Sequence, residues 1–169
     1  MPGLMTTVIK VVEKTNVTFA KKGNLPIYPN STFPWAADIE KDWRKIRAEL
    51  DVVMERKEEL PNFHDIMDEV RKITSDDMWK TFFLAGYGLE SDENSRRCPN
   101  TTEIIKRIPG MKTAFFSILA PKKHIPAHRG PYNGVLRYHL GLIVPEPKEI
   151  CRIRIEDRVA HWEEGKSLI

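Results

Sequence analysis

The sequence predicts an α+β fold, mainly β, with N-terminal helices leading into a jelly-roll-like set of strands. Between residues 38 and 60 apolar residues recur at helical spacing. From residue 111 onward, short apolar runs alternate with turn-forming residues at close, regular intervals, which suggests a barrel or jelly roll. The length of 169 residues suits one domain.

Residues 1–37 are expected to form an arm laid over a single domain of residues 38–169. Val8, Ile9, Val11 and Val12 suit a short strand or a helical turn, and Lys21–Pro34, with Pro26, Pro29 and Pro34, has loop composition. From Asp38 to about Leu60, Ile39, Trp43, Ile46, Leu50 and Val53 form one apolar stripe, and Pro61 stops the helix. A second helix is expected from about Asp65 to Ile73. Met78–Tyr87 reads as a strand and Ser91–Cys98 as a polar loop. Asn100 followed by Glu103 resembles a capping signal for a helix through about Arg107. Strands are then expected at Lys112–Leu119, Val135–Val144, Cys151–Glu156, Val159–Trp162 and from Lys166 to the end. Turns fall at Pro109-Gly110, Gly130-Pro131, Pro145–Pro147, Asp157-Arg158 and Glu164-Gly165.

The chain is 41% hydrophobic and 30% charged, which argues against disorder throughout. Its net charge of +3 is too small for a nucleic-acid partner, and no dense basic run interleaved with aromatics is present. Cys98 and Cys151 lack the paired spacing of a zinc knuckle or a redox CxxC and read as reduced thiols. No apolar run approaches a membrane span and no signal-peptide core is evident, so a cytoplasmic protein is the default expectation.

Candidate chemistry gathers late in the chain. In Val135–Val144, alternation puts Arg137, His139, Gly141 and Ile143 on one strand face and Leu136, Tyr138, Leu140, Leu142 and Val144 on the other. If the first face points inward, Arg137 and His139 need a partner. A dicarboxylate fits, because guanidinium offers carboxylate a planar fork, and Gly141 would leave room for it. If the apolar face points inward, Arg137 and His139 meet solvent. Alternation leaves both readings open. His128 precedes a turn leading into this strand and is a candidate metal ligand. His124, beside Lys122 and Lys123, reads as solvent-facing, and His161, before Trp162 in a short strand, as structural.

Longer segments carry a resemblance: Ser117–Pro121, His124–Pro145 around His128, Arg137 and His139, Trp162–Ile169, Cys98–Thr102, Ile108-Pro109 and Asp42–Arg44. Together, from about Phe33 onward, they resemble the aspartyl/asparaginyl β-hydroxylase family, which includes animal peptidyl-Asp/Asn hydroxylases and bacterial lipid A hydroxylases. The resemblance implies a double-stranded β-helix, Fe(II), and 2-oxoglutarate as co-substrate. It implies an Fe(II)- and 2-oxoglutarate-dependent dioxygenase that hydroxylates an unactivated C–H of a peptidyl Asp or Asn or a related substrate. His128 would be the first iron ligand, Arg137 and His139 would contact 2-oxoglutarate, Ser117 would assist, and Trp79 would stand near the site.

Two departures qualify this. Gly130 occupies the position where a carboxylate ligand would stand two residues after His128; the animal members share the glycine and the lipid A hydroxylases carry Asp. The family's distal iron-binding His and second 2-oxoglutarate Arg fall beyond Ile169, so the jelly roll and its site are expected to be incomplete at the C-terminal end. The rival expectations are a non-catalytic jelly-roll module that binds a carboxylate or a partner, and a metal-dependent cupin that does not use 2-oxoglutarate.

Overall fold

The computed structural model describes residues 2–130 and 132–169; Met1, and Pro131 of the expected Gly130-Pro131 turn, lie outside the described residues. In chain order the helices and strands are α1 (Pro2–Thr18), α2 (Pro34–Lys41), α3 (Trp43–Met54), α4 (Phe63–Ile66), β1 (Trp79–Gly86), β2 (Leu89–Glu90), α5 (Asp92–Arg97), α6 (Pro99–Ile105), β3 (Thr113–Leu119), β4 (His139–Leu140), β5 (Arg152–Ile155), β6 (Arg158–His161) and β7 (Ser167–Leu168). Helices and antiparallel strands are mixed, as an α+β fold requires. The described strands pair as a three-stranded sheet in the order β2-β1-β3 and two ribbons, β4-β7 and β5-β6.

The chain divides into two compact units. One joins residues 1–40 to residues 129–169, and the other is the continuous segment 41–128.

In the continuous unit, α3 buries Ile46, Leu50 and Val53, the stripe that its 3.6-residue period predicts. The single helix expected over 38–60 is two helices. Asp42 interrupts it, with its carboxylate bonded to Lys45 and Arg107 at 2.8 and 2.7 Å. The first turn of α6 is capped from another helix rather than by its own Asn100 and Glu103. The Glu49 carboxylate on α3 accepts from Asn100 N, Asn100 Nδ2 and Thr101 N at 2.8 Å each, and from Thr101 Oγ1 at 2.6 Å. A carboxylate there satisfies the orphan amides of the helix start and faces the positive end of its dipole. Glu103 instead pairs with Lys106.

The segment expected as a loop at Ser91–Cys98 is helical through α5. Ser91 Oγ accepts from Asn94 N, and acidic Asp92 and Glu93 open a turn that Arg96 and Arg97 close.

Strand β1 is sandwiched. On one face Trp79 packs with Phe63, Val70, Ile73, Phe115 and Ile125. On the other, Phe82 stacks on Phe116 at 5.9 Å, and Arg97 lies 4.9 Å over the Phe82 ring. The β1-β3 register slips between Phe83 and Ala85. The carbonyls freed there are taken up by Asn94 Nδ2 on Phe83 O at 2.7 Å and Ser91 N on Leu84 O at 2.9 Å.

In the discontinuous unit, Pro2–Thr18 form α1, and the proline-rich stretch packs Tyr28 and Phe33 into a core with Trp35, Ala36, Tyr138 and Ile169. The expected strand Val135–Val144 forms ladder only at His139 and Leu140, opposite Leu168 and Ser167. Beyond it, Gly141 bonds Lys166 O and Gly165 N, and Val144 N bonds the Glu164 side chain. Regular pairing stops because the partner segment turns at Gly165, whose φ is 74°.

Burial raises the affinity of the Glu49 carboxyl for its proton, but the hydrogen bonds from Thr101 and Asn100 outweigh it and hold the pKa below the ordinary 4.5. The cap therefore contributes fully above pH 4.5 and is lost as pH falls through the lowered folded value. Glu49→Ala should cost about 2 kcal/mol in urea melts near neutral pH, and distinctly less in acid.

Candidate active site

The loop after β3 ends at His128, the last residue of the continuous unit. Its imidazole is solvent-exposed, and Nδ1 lies 2.9 Å from the Pro126 carbonyl. Only a protonated Nδ1 can make that bond, so the lone pair stands on Nε2. This is the arrangement that orients a metal-ligating imidazole.

Two other expected residues of the same unit meet directly. Trp79 on β1 and Ser117 on β3 share one sheet face, and the indole Nε1–H donates to Ser117 Oγ at 2.9 Å. The Trp79 ring is fixed by Phe63, whose centroid is 4.7 Å away, and Phe63 also meets Phe115 at 5.1 Å. This aromatic frame was not foreseen from the sequence, although Phe63 follows directly on the Pro61-Asn62 helix stop. A cavity of about 270 Å³ elsewhere in this unit is lined by Arg56, Thr81, Phe83 and Arg97 and includes none of the expected site residues.

Arg137 and His139 belong to the discontinuous unit. Arg137 is exposed, and His139 is half-buried. The His139 ring stacks on Trp162 at 6.0 Å with 27° between planes. Burial, and then the Arg137 charge, push its pKa below the ordinary 6.5, so the neutral ring is favoured. A neutral imidazole beside a guanidinium can share a carboxylate, the imidazole giving one hydrogen bond and the guanidinium its fork. The Tyr138 side chain on the opposite face is half-buried, accepts from Ser167 Oγ at 2.9 Å, and has its hydroxyl pKa pushed up to about 12 by burial. Both faces of this short segment are therefore engaged: Tyr138 in the core and His139 against Trp162.

Gly130 lies beside Arg137, where an added Cβ would meet the guanidinium at 3.8 Å, an ordinary contact. Gly141 differs from its expected role. The space over it holds the Glu163 backbone, whose carbonyl oxygen would be 2.2 Å from an added Cβ, so this glycine admits a neighbouring chain segment and not a ligand.

With this geometry in view, comparison with known proteins is decisive. The model of a family described as aspartyl/asparaginyl β-hydroxylase matches residues 40–169. The chain belongs to the aspartyl/asparaginyl β-hydroxylase family. An ornithine lipid ester-linked acyl 2-hydroxylase of Rhizobium tropici is 54% identical over 99% of the chain and 61% of its own length. A human aspartyl/asparaginyl β-hydroxylase is 32% identical over 78% of the chain and 17% of its own length. The chain thus spans less than two thirds of the length of each of these hydroxylases. The family match includes Trp79, Ser117, His128, Arg137 and His139 and begins after α1.

Two outcomes test the geometry. Arg137→Ala should raise the His139 pKa toward 6.5, read by NMR titration of the ring protons, because one of the two causes of its depression is removed. Gly141→Ala should lower stability by about 2 kcal/mol or more in denaturant melts through the clash with Glu163.

Proposed function

We propose that this hydroxylase acts on the acyl chain of a lipid, with O2 as the oxidant: bound Fe(II) would supply the oxygen chemistry, one oxygen atom going to an unactivated C–H bond and the other to succinate as 2-oxoglutarate is decarboxylated to succinate and CO2. The observation that carries the substrate class is the 54% identity with the Rhizobium lipid acyl 2-hydroxylase, which extends over 99% of this chain. A peptidyl Asp or Asn, the class named by the human relative, is the alternative that the same assay reads.

The residues present fit these partners unequally. For 2-oxoglutarate, Arg137 and the neutral His139 make a coherent carboxylate-binding pair. For iron, His128 offers an oriented Nε2 and fits one ligand position. Among the described residues, no three His, Cys, Asp or Glu side chains group closely enough to hold a metal ion. The rest of a coordination sphere would come from other residues or from water.

In this proposal the chain's own side chains have separate tasks. Arg137 holds the far carboxylate of the co-substrate. His139, kept neutral by burial and by the Arg137 charge and steadied by Trp162, adds a directed hydrogen bond. Trp79 and Ser117 form a stiff wall through their mutual bond.

The test is lipid analysis by mass spectrometry in cells expressing the protein at its natural length. The expected outcome is one added oxygen on an ester-linked acyl chain. Arg137→Ala should cut that product, and the succinate formed with it, by about a hundredfold or more. Added oxygen on peptides and not on lipids would overturn the acyl reading. Undiminished turnover in Arg137→Ala would overturn the co-substrate assignment.

A further inference from the structure

The charge of this chain is not spread along it. Residues 1–25 contain four lysines (Lys10, Lys14, Lys21 and Lys22) against one glutamate, Glu13. The other 144 residues contain 23 basic and 23 acidic side chains, so the whole net charge of +3 belongs to this stretch.

Glu13 is the inward residue of α1. It is 9% exposed and paired with Arg129, while its carbonyl accepts from Asn133 Nδ2 at 3.1 Å. Asn16, on the same side of the helix, donates to Tyr132 Oη and Asn133 Oδ1. The helix is thus held to its unit through polar contacts on one side.

Another side carries apolar residues facing outward. Val8, Val11, Val12 and Phe19 are 53%, 61%, 40% and 77% exposed. With exposed Thr15 they stand at steps of three, one, three and four, a single stripe on a helix of 3.6-residue period. Phe19 stays in register because its amide still bonds Thr15 O at 3.0 Å. Lys14 borders the stripe on one side, Lys10 stands beyond it toward the far face of the helix, and Lys21 and Lys22 follow the helix, all four exposed.

We propose that this stripe docks α1 in the plane of an anionic lipid bilayer surface, with the apolar residues at the acyl boundary and the lysines among the headgroups. An apolar stripe bordered by lysine ammonium groups is the chemistry of an interfacial helix. No helix of the described residues is long and apolar enough to cross a membrane, so the helix lies on the surface. Two facts favour lipid over a second copy of the chain. The charged side chains exposed on the helix and just after it, Lys10, Lys14, Lys21 and Lys22, are all positive, which opposes self-pairing. The helix also lies outside the family-wide match at residues 40–169, yet inside the similarity to the lipid hydroxylase. The inference rests on the acyl-lipid reading for its purpose, which is to bring the enzyme to substrate already in a membrane.

The experiment is co-sedimentation with phosphatidylcholine vesicles, with and without phosphatidylglycerol. The protein should pellet with the anionic vesicles, and high salt should release it. Lys10→Gln with Lys14→Gln should weaken binding about tenfold or more. Val8→Asn with Val12→Asn should weaken it comparably, and Phe19→Ser, just outside the helix, should do so without affecting helix content by circular dichroism. Protein left in the supernatant, or variants that bind like the parent, would overturn the proposal. So would concentration-dependent self-association without vesicles that Val11→Asp abolishes. These vesicles contain no substrate and the assay needs no turnover. Binding without lipid hydroxylation would therefore sink only the acyl reading, and lipid hydroxylation without binding only the docking.

Discussion

One carboxylate organises the unit that carries Arg137 and His139. Glu40, at the end of α2, accepts from Ser167 N at 2.7 Å and from Asn30 Nδ2 at 3.1 Å, and Lys166 Nζ stands 3.7 Å from its other oxygen. Asn30 Nδ2 reaches on to Ser167 O at 3.2 Å. Ser167 opens β7, the partner of β4, and its hydroxyl donates to Tyr138. The position of His139 thus follows from a carboxylate almost a hundred residues earlier in the chain, through one two-residue ladder. A ladder so short supplies little cohesion by itself, and the aromatic packing of Trp35 on Tyr138, 5.1 Å between ring centroids, supplies more.

The continuous unit is built on a different logic. Its central strand β1 is covered on both faces, and irregularities are satisfied by side chains: Asn94 at the β1 bulge and Glu49 at the start of α6. The same frame holds Trp79 still, so that its indole can reach Ser117. The fixed Trp79–Ser117 pair and the packing of β1 depend on the same residues.

The parts of this molecule written in local pattern were legible. The stripe Ile46, Leu50, Val53 gave α3, and apolar density gave β1 and β3 nearly to their ends. Motif resemblance found the family and proposed its site residues, and of these the structure joins Trp79 to Ser117 by a hydrogen bond and places Arg137 where its charge acts on His139. What local pattern missed depends on partners distant in sequence. Nothing near Pro99 announces that Glu49 will cap it, and nothing in Leu-Gly-Leu says that Gly141 must admit the Glu163 carbonyl. The alternation of Val135–Val144 suggested ten residues of strand, but a strand extends only as far as its neighbour does, and that neighbour turns at Gly165. The helix α5 was the avoidable miss, since Ser91, its acidic first turn and its basic last turn are all local signals.

The division of the chain sets an order on its making. As residues leave the ribosome, the segment 41–128 holds everything needed to close its own contacts, and it can do so while synthesis continues. The first forty residues cannot. Glu40 waits for Ser167, 127 positions later, and the Tyr28 amide waits for the carbonyl of Ile169. Until then Tyr28, Phe33 and Trp35 have no Tyr138 or Ile169 to pack against, and the nascent chain carries these aromatic side chains uncovered on that side. Translation through residues 129–169 therefore sets how long those aromatic side chains wait for their partners.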